Sequence, residues 1–312
     1  MHPLLLTIDN FSVSSFGFFL SLAFLTAVFV IWRLCRVYDI DEEKTLDIAL
    51  LSFFGGLIGA RVFYVLTNTA QFADLQRVFL VNRYPGLNFW GGIIFGFLTL
   101  QLIVKHFRLQ LWQMADFVTV GVFAGLILGS TGCILGSCQY GVVSSSPLAV
   151  LQVGVLERRF PVQLLAALLY FFAYLYLWKI CLRFHFNGKV TSAGLIILGL
   201  VKFFTEFLRG DAQNLVGNFT VNQLFAVVAF FLGFVVLYTQ GKRSVKGDLH
   251  SCLKFFINNN FRRMALAKMF KGWYNFRINW KVSLQRSRRK FVSNTKSLLR
   301  NINVKKNPPQ FQ

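Results

Sequence analysis

Seven runs of apolar residues, each about 20 residues long, constrain the fold of this chain more than any other feature. They lie at about 14–34, 47–67, 87–104, 115–136, 161–181, 193–209 and 221–239. A helix of this length crosses the hydrocarbon core of a bilayer, and a soluble core could not bury seven of them. Because a backbone in lipid must satisfy its own hydrogen bonds, each run is predicted to be a helix. The predicted fold class is therefore all-α, a polytopic membrane protein with about seven transmembrane helices.

The net charge of +21 is concentrated after the last apolar run. Residues 242–306 hold 18 of the 33 Lys and Arg residues and one of the 12 acids. Bulky side chains such as Phe255, Trp273 and Trp280 lie between the basic ones. This pattern predicts one or two basic amphipathic helices on an anionic membrane surface. Single-stranded nucleic acid is the rival partner for such a segment, but it is not expected for a tail tethered to a bilayer.

The sequence thus divides into a predicted membrane domain, 1–240, and a predicted basic cytoplasmic tail, 241–312. The Lys and Arg residues of the short loops discriminate weakly between the two orientations. The basic tail decides the predicted orientation, because it would be costly to translocate so many positive charges across the membrane. Seven spans with the tail inside place the N-terminus outside. The first run has no basic residues before it and no small-residue cleavage site after it, so it is expected to be retained rather than removed as a signal peptide.

Glycines recur at four-residue spacing in several spans. Gly55 with Gly59, and Gly92 with Gly96, form GxxxG pairs, which typically let two helices approach closely in lipid. The fourth span has three such glycines in 121–129 and continues with others to Gly141. That many glycines weaken a helix, and broken backbone at membrane depth is tolerated where it lines a polar cavity.

Charged residues inside the spans are costly, so each one indicates a site or a compensating partner. Arg61 and Tyr64 share a face of the second span, where Arg61 could alternatively snorkel to the interface. Lys202, Glu206 and Arg209 share a face of the sixth. Glu206 can neutralise only one of the two cations, which leaves positive charge suited to an anionic head group. A structural ion-pair network is the alternative.

The five cysteines follow no disulfide or zinc framework. Cys133 and Cys138 are five apart, and they could be a redox pair, half of a metal site, or small buried residues. No metal site and no cofactor is predicted. Gln163 and Gln223 are amides within spans, and pairing between helices is the expected reason for both.

Several segments, in order, resemble those of the prolipoprotein diacylglyceryl transferase family. The resemblance covers about 10–240. It rests on five segments: Gly59-Ala60-Arg61-Val62-Phe63-Tyr64, Gly86-Leu87-Asn88-Phe89-Trp90-Gly91-Gly92, Arg159-Phe160-Pro161-Val162-Gln163-Leu164, Glu206-Phe207-Leu208-Arg209 and Gln223-Leu224. A sixth, Gly129 to Gly141, aligns with the segment that is most recognisable in the family. There the glycines match, but Ser130 replaces an Arg expected to contact the lipid phosphate, and Cys138 replaces a Glu.

Other residues of the chain also differ from the family's motifs. Cys133 and Gly136 stand where the family has Asn, and Trp90, Phe160 and Phe16 stand where it has His, His and Tyr.

The resemblance implies an enzyme of the bacterial cytoplasmic (inner) membrane that matures lipoproteins. Such an enzyme moves a diacylglyceryl group from phosphatidylglycerol to the thiol of a lipobox cysteine, with glycerol phosphate leaving. Its partners would be phosphatidylglycerol, the prolipoprotein lipobox segment and, through the tail, the anionic membrane surface. The expected catalytic residues are Arg61, Glu206 and Arg209. The expected substrate-binding residues are Tyr64, Asn88, Ser130, Gln163 and Lys202.

Two other functions are consistent with parts of the sequence. The replacements at Ser130, Cys133, Cys138 and Trp90 favour a catalytically inactive relative that binds anionic lipid or a membrane protein. A small-solute transporter is a third hypothesis, but no inverted repeat supports it.

Overall fold

The computed structural model of the chain describes residues 4–8, 11–69, 72, 86–151, 156–183, 185–211, 214–216, 219–242 and 244. Its seven helices are α1 Ser15–Val37, α2 Glu42–Thr67, α3 Phe89–His106, α4 Leu111–Leu135, α5 Val162–Cys181, α6 Lys189–Glu206 and α7 Val221–Gly241. Three short antiparallel hairpins lie between or before them: β1 Leu4–Ile8 with β2 Phe11–Ser14, β3 Val150–Leu151 with β4 Arg158–Arg159, and β5 Asn214–Val216 with β6 Phe219–Thr220. Each predicted span overlaps one helix, so the all-α prediction is confirmed.

Six of the seven helices, all except α6, are long and apolar enough to cross a membrane. Helix α6 differs because it carries three charged residues, Lys189, Lys202 and Glu206, within its 18 residues. Phe29, Ile58 and Leu102 are each more than half exposed on the outside of the bundle. Large apolar side chains on an outer surface of this extent fit hydrocarbon rather than water. The chain is a multi-pass membrane protein.

Helices α2 and α3 pack through their glycines. A Cβ added at Gly56 would lie 3.1 Å from the carbonyl oxygen of Gly92, and one added at Gly96 would lie 3.6 Å from the Cα of Gly56. Gly56 can therefore carry a larger side chain only if the backbone of α3 moves, whereas a Cβ at Gly96 would make ordinary van der Waals contact. The GxxxG spacing in these two spans therefore serves close helix packing, as expected.

Helix α4 packs against α1, α5 and α6 and supplies much of the buried core, including Phe117, Val120 and Phe123. Its glycines do not interrupt it, because the helix runs unbroken from Leu111 to Leu135. Gly121 and Gly125 instead face α1, where a Cβ would lie 3.0 and 3.2 Å from backbone carbonyl oxygens. The irregular backbone begins only after the helix ends, in the segment from Gly136 to Gly141.

At one end of the bundle, the carboxylate of Asp116 caps a neighbouring helix. Asp116 of α4 is 1 % exposed, and it accepts hydrogen bonds from the backbone N–H groups of Gly188 (2.8 Å) and Thr191 (2.7 Å). Helix α6 begins at this point, and Gly188 offers no capping side chain of its own. Asp116 thus satisfies amide groups that the first turn of a helix leaves without partners.

His185 lies beside that cap. Its Nε2 is 3.4 Å from a carboxylate oxygen of Asp116, and its Nδ1 is 2.6 Å from the carbonyl oxygen of Arg183. A carbonyl can only accept, so Nδ1 donates, and Nε2 donates to Asp116 when the ring is protonated. The hydrogen bond to Asp116 raises the pKa of His185 from its usual 6.5.

The predicted boundary between a membrane domain and a tail falls at the end of α7. The basic segment from residue 245 lies outside the described residues, so its predicted surface helices and the division into two domains stay predictions.

Candidate functional site

A small cavity lies at the end of the bundle opposite to Asp116. It is bounded by the last turns of α4 and α6, the first turns of α5 and the loop between α4 and α5. Its volume is about 30 Å³, room for about one water molecule. The residues that line it are Ser130, Cys133, Gln139, Val162, Gln163, Ala166, Tyr170, Lys202, Thr205, Glu206 and Arg209. Five of the eight predicted site residues, Ser130, Gln163, Lys202, Glu206 and Arg209, are thereby brought together.

Glu206 is the centre of the polar network at this cavity. It is the last residue of α6 and is 5 % exposed. Its Oε1 accepts hydrogen bonds from the hydroxyl of Thr220 (3.2 Å) and the side-chain amide of Asn222 (2.9 Å). Both oxygens also accept from Nη1 of Arg209, at 3.2 and 3.1 Å. A carboxylate with so many donors is held in one orientation.

Arg209 is held by two carboxylates rather than one. Besides its contacts to Glu206, its Nε and Nη2 donate to the two oxygens of Asp211, at 3.0 and 3.1 Å. Arg209 lies beyond the end of α6, where its backbone forms a β-bridge with Gly141. Its charge is therefore balanced locally. The spacing in the sequence allowed the pair with Glu206, but it did not predict Asp211 as a second partner.

Lys202 has a different environment. Its ammonium nitrogen lies 4.2 Å from the ring centroid of Phe89, the first residue of α3. In the part of the chain that the structure describes, Lys202 is in no ion pair, although it lines the cavity beside Glu206. It is therefore the cation of the cavity whose charge is least balanced by a bonded carboxylate.

The segment after α4 is held in place by two kinds of bond. Cys133 and Cys138 are joined by a disulfide, which resolves the alternatives left open by their spacing and makes both sulfurs unavailable as metal ligands. The side-chain amide of Gln163 donates to the carbonyl oxygens of Cys138 (2.5 Å) and Gln139 (3.0 Å). Gln139 has a positive φ of 58°. A residue other than glycine keeps this left-handed conformation when the contacts around it hold the backbone in place.

The other three predicted site residues form a separate group around Gly86. Arg61 is 8 % exposed, donates from Nη1 to the carbonyl oxygen of Gly86 (3.1 Å) and lies 5.0 Å from the ring centroid of Phe72. A Cβ at Gly86 would meet the ring of Tyr64. None of Arg61, Tyr64 and Asn88 lines the cavity.

Asn88 connects this group to the cavity. Its side-chain oxygen caps α3 by accepting from the backbone N–H groups of Trp90 (2.9 Å) and Gly91 (3.3 Å). Its own backbone N–H donates to the carbonyl oxygen of Ala60, which precedes Arg61. The next residue, Phe89, is the one whose ring contacts Lys202. The Gly86 group and the cavity are thus neighbours at the same end of the bundle.

Thr220, Asn222 and Asp211 are polar residues of the site that sequence reasoning missed. A signal existed for Thr220, because Thr220 and Gln223 have the spacing of a capping box, and the structure contains that box at the start of α7. Gln223 therefore bonds within its own helix, contrary to the expected pairing between helices. Asn222 and Asp211 had no such signal, because their relation to Glu206 and Arg209 depends on how α7 and the loop pack.

The comparisons with known proteins identify the family of the chain. A family model described as prolipoprotein diacylglyceryl transferase matches residues 3–239. A phosphatidylglycerol–prolipoprotein diacylglyceryl transferase of Finegoldia magna is 26 % identical over 249 residues, 80 % of this chain and 99 % of that protein. A protein of the same name from Clostridium tetani is 23 % identical over 241 residues, and one named transferase 2 from Clostridium perfringens is 24 % identical over 249 residues. The alignments cover 76 % and 78 % of this chain, and 96 % of each relative.

Proposed function

The chain belongs to the prolipoprotein diacylglyceryl transferase family, and from that premise we propose that it transfers a diacylglyceryl group from phosphatidylglycerol to the lipobox cysteine of prolipoproteins. The observation that carries the proposal is the convergence of four segments at one cavity. These are Gly129–Gly141, Arg159–Leu164, Lys202–Arg209 and the start of α7. All four contain segments that resemble family motifs, and together they combine a cation, an oriented carboxylate and an irregular loop.

In this proposal Lys202 is the principal contact for the phosphate of the lipid. Its charge is the least balanced at the cavity, and its flexible four-carbon stem can follow the phosphate as it moves. Arg209 is already paired with Glu206 and Asp211, so it acts as a fixed donor rather than as an uncompensated charge. Arg61, at the same end of the bundle, is proposed as a second head-group contact through the Gly86 group. The cavity is small, so binding a head group requires its lining side chains to move apart.

The reaction forms one bond and breaks one. The sulfur of the acceptor cysteine attacks the glyceryl carbon of the diacylglyceryl group, and the bond from that carbon to the phosphate oxygen breaks. The electron pair of the broken bond leaves with glycerol phosphate, whose charge Lys202 and Arg209 stabilise. The thiol proton is lost to solvent or to a base, and nearby cations favour the thiolate by lowering its pKa.

Glu206 is proposed to orient the site rather than to remove the proton. A general base must have an oxygen available to the thiol, within hydrogen-bond reach. Both oxygens of Glu206 already accept hydrogen bonds from Arg209, and one of them accepts two more. The carboxylate thereby fixes Arg209 and joins α6 to the start of α7.

The proposed orientation places the cavity in the outer half of the membrane. The cavity lies at the end where α1 begins, since Phe16 and Phe19 pack against Gly136 and Gly132 of the α4 end. Helix α7 ends at the opposite side, where Gln240 lies close to Gly188. If the basic tail is cytoplasmic, the cavity faces outward, where a translocated lipobox segment would arrive.

The test is transfer of radiolabelled phosphatidylglycerol to a lipobox peptide by the purified full-length protein. Transfer is expected for the wild type, and a strong loss is expected for Arg61→Ala and for Arg209→Ala. If both variants keep near-normal transfer, the assignment of these cations is wrong. If the wild type shows no transfer and does not rescue a strain lacking the transferase, the chain is an inactive relative and the proposed function fails.

A further inference from the structure

Tyr170 of α5 has a hydroxyl group that nothing in the described part of the chain hydrogen-bonds. The side chain is 1 % exposed, and its ring packs edge to face against Phe123 with centroids 5.9 Å apart. Its oxygen is one of only three buried side-chain nitrogen or oxygen atoms, among the described residues, without a hydrogen-bond partner. Buried tyrosine hydroxyls almost always have a partner, so an orphaned one indicates a group that is supplied from elsewhere.

The position of Tyr170 shows where that group would bind. Gln163, Ala166 and Tyr170 are spaced so that they share one face of α5, and all three line the cavity of Lys202, Glu206 and Arg209. The other two orphaned atoms, Ser52 Oγ and Arg159 Nε, do not line it. Ala166, which lies between Gln163 and Tyr170 on this face, has only a methyl side chain.

Two neighbouring polar groups of the cavity already have hydrogen-bond partners, whereas the hydroxyl of Tyr170 can still donate to a ligand. Gln163 and Glu206 are engaged, one with the loop after α4 and the other with Arg209, Thr220 and Asn222. Lys202 contributes charge. A phenol is protonated near neutral pH and adds a directed donor without adding charge. A cation together with a neutral donor matches an anionic phosphate oxygen.

We propose that Tyr170 is a substrate-positioning residue whose hydroxyl donates a hydrogen bond to a phosphate oxygen of the phospholipid that Lys202 attracts. The inference rests on the proposed function for the identity of the lipid, phosphatidylglycerol. It adds a ligand contact on α5, in a part of the helix that none of the motif segments includes.

The experiment compares Tyr170→Phe with the matched control Tyr174→Phe on the same helix. The first change removes a single oxygen atom and keeps the ring against Phe123, whereas Tyr174 does not line the cavity. For Tyr170→Phe, kcat/KM for phosphatidylglycerol is expected to fall at least 10-fold, mostly through KM, because a hydrogen bond to a charged group is lost. The KM for the lipobox peptide should not change, and Tyr174→Phe should behave as the wild type.

The thermal unfolding midpoint separates this role from a structural one. Removing an orphaned buried hydroxyl should leave the midpoint unchanged or raise it, whereas removing a structural hydrogen bond lowers it. Wild-type kinetics in Tyr170→Phe would overturn the proposal. A lowered midpoint, together with equal losses of kcat/KM for both substrates, would overturn it as well.

Equilibrium binding of fluorescent phosphatidylglycerol in detergent micelles keeps the two proposals distinct. If the wild type binds the lipid but transfers nothing, the proposed function fails. Weaker binding by Tyr170→Phe then still supports the contact, and equal binding refutes it. If the wild type neither binds nor transfers, both proposals are refuted.

Discussion

Lys202 differs from the other cations of the site in what surrounds its charge. Arg209 is paired with two carboxylates, and Arg61 is bonded to the carbonyl of Gly86, while Lys202 lies against the ring of Phe89 and faces the cavity. A cation on an aromatic face is attracted to it without being neutralised. Of the two cations that line the cavity, the one with more charge to offer a phosphate is therefore Lys202.

This assignment predicts the behaviour of Lys202→Met, which keeps the length of the side chain and removes its charge. Losing a hydrogen bond between charged groups costs about 1.5–3 kcal/mol, so kcat/KM for phosphatidylglycerol should fall by about 10- to 150-fold. Lys105→Met, at the far end of α3, is the control and should transfer normally. Steady-state kinetics at several lipid concentrations measures both. A Lys202→Met variant with normal kinetics would show that the phosphate lies elsewhere.

The role of Glu206 leads to a second prediction, because replacing a general base lowers the rate of transfer more than replacing an orienting group does. Loss of a general base lowers the rate by about 10²–10⁴-fold. In Glu206→Gln the amide oxygen can still accept from Thr220 and Asn222, so a fall in kcat of only about 10-fold is expected. Single-turnover measurements of transfer distinguish the two outcomes.

The stability of Glu206→Ala provides the companion measurement. Removing one partner of a buried ion pair costs about 3–5 kcal/mol, and the lower end is expected because Asp211 still pairs with Arg209. Asp211→Asn removes the more exposed partner, so it should cost less than about 1 kcal/mol. Chemical denaturation in detergent compares them. Equal losses from the two variants would mean that Glu206 is not the main support of Arg209.

At the scale of elements, the segment after α4 shows how the loop of the site is held. The helix ends at Leu135, and the disulfide from Cys133 to Cys138 ties the next residues to its last turn. Gln163 of α5 then bonds to the carbonyls of Cys138 and Gln139. The glycine-rich sequence suggested a broken helix. The structure shows an intact helix, in which Gly121, Gly125 and Gly132 pack against α1.

The disulfide leads to a prediction about reduction. For so short a loop, the bond should stabilise the protein by about 2 kcal/mol. Dithiothreitol should lower both the unfolding midpoint and the rate of transfer of the wild type. Cys133→Ser, Cys138→Ser and the double variant should resemble the reduced wild type, since each lacks the same bond. They should also be insensitive to the reductant. A wild type that does not respond to full reduction, verified by thiol titration, would contradict this prediction.

At the opposite end, the cap that Asp116 forms for α6 predicts a dependence of stability on pH. The pKa of His185 is raised in the folded protein, chiefly by the hydrogen bond to Asp116, while burial of the ring and, to a smaller extent, nearby Lys189 oppose the shift. A raised pKa means that the folded state binds the proton more tightly. The stabilisation is therefore fully present below pH 6.5 and is lost as the pH rises through the folded-state pKa.

Thermal unfolding from pH 5 to pH 8.5 tests this sign. The midpoint of the wild type should decline with rising pH more than that of His185→Gln. His106→Gln, at the end of α3, is the control and should keep the decline of the wild type. A midpoint that rises through this range because of His185 would reverse the proposed sign.

On the scale of the whole molecule, orientation connects the two ends of the bundle to the two sides of the membrane. The cavity lies where α1 begins, and the cap of α6 lies where α7 ends. The basic tail follows α7, so its expected cytoplasmic position would place the cavity on the outer side. Orientation also decides which reactants meet, because a lipobox cysteine reaches the cavity only from the side on which it is displayed.

Labelling of a single cysteine tests the orientation. Ser244→Cys in a Cys252→Ser background places a thiol just after α7. A membrane-impermeant maleimide should label it only after cells are permeabilised, because the tail is predicted to be inside. Leu156→Cys, at a fully exposed residue shortly before β4, is the control and should be labelled in intact cells. The opposite pattern would invert the topology.

The sequence by itself determined the number and approximate bounds of the helices, the membrane class and the family. These follow from local properties, namely the length of each apolar run and short motifs within single elements. The tertiary structure decided which polar groups share a site. It separated Arg61, Tyr64 and Asn88 from the cavity, and it added Tyr170 to it.

The tertiary structure also paired Arg209 with Asp211 and joined Glu206 to Thr220 and Asn222. The physical reason is that distances between side chains on different helices depend on how the helices pack, and a hydropathy pattern does not contain that information.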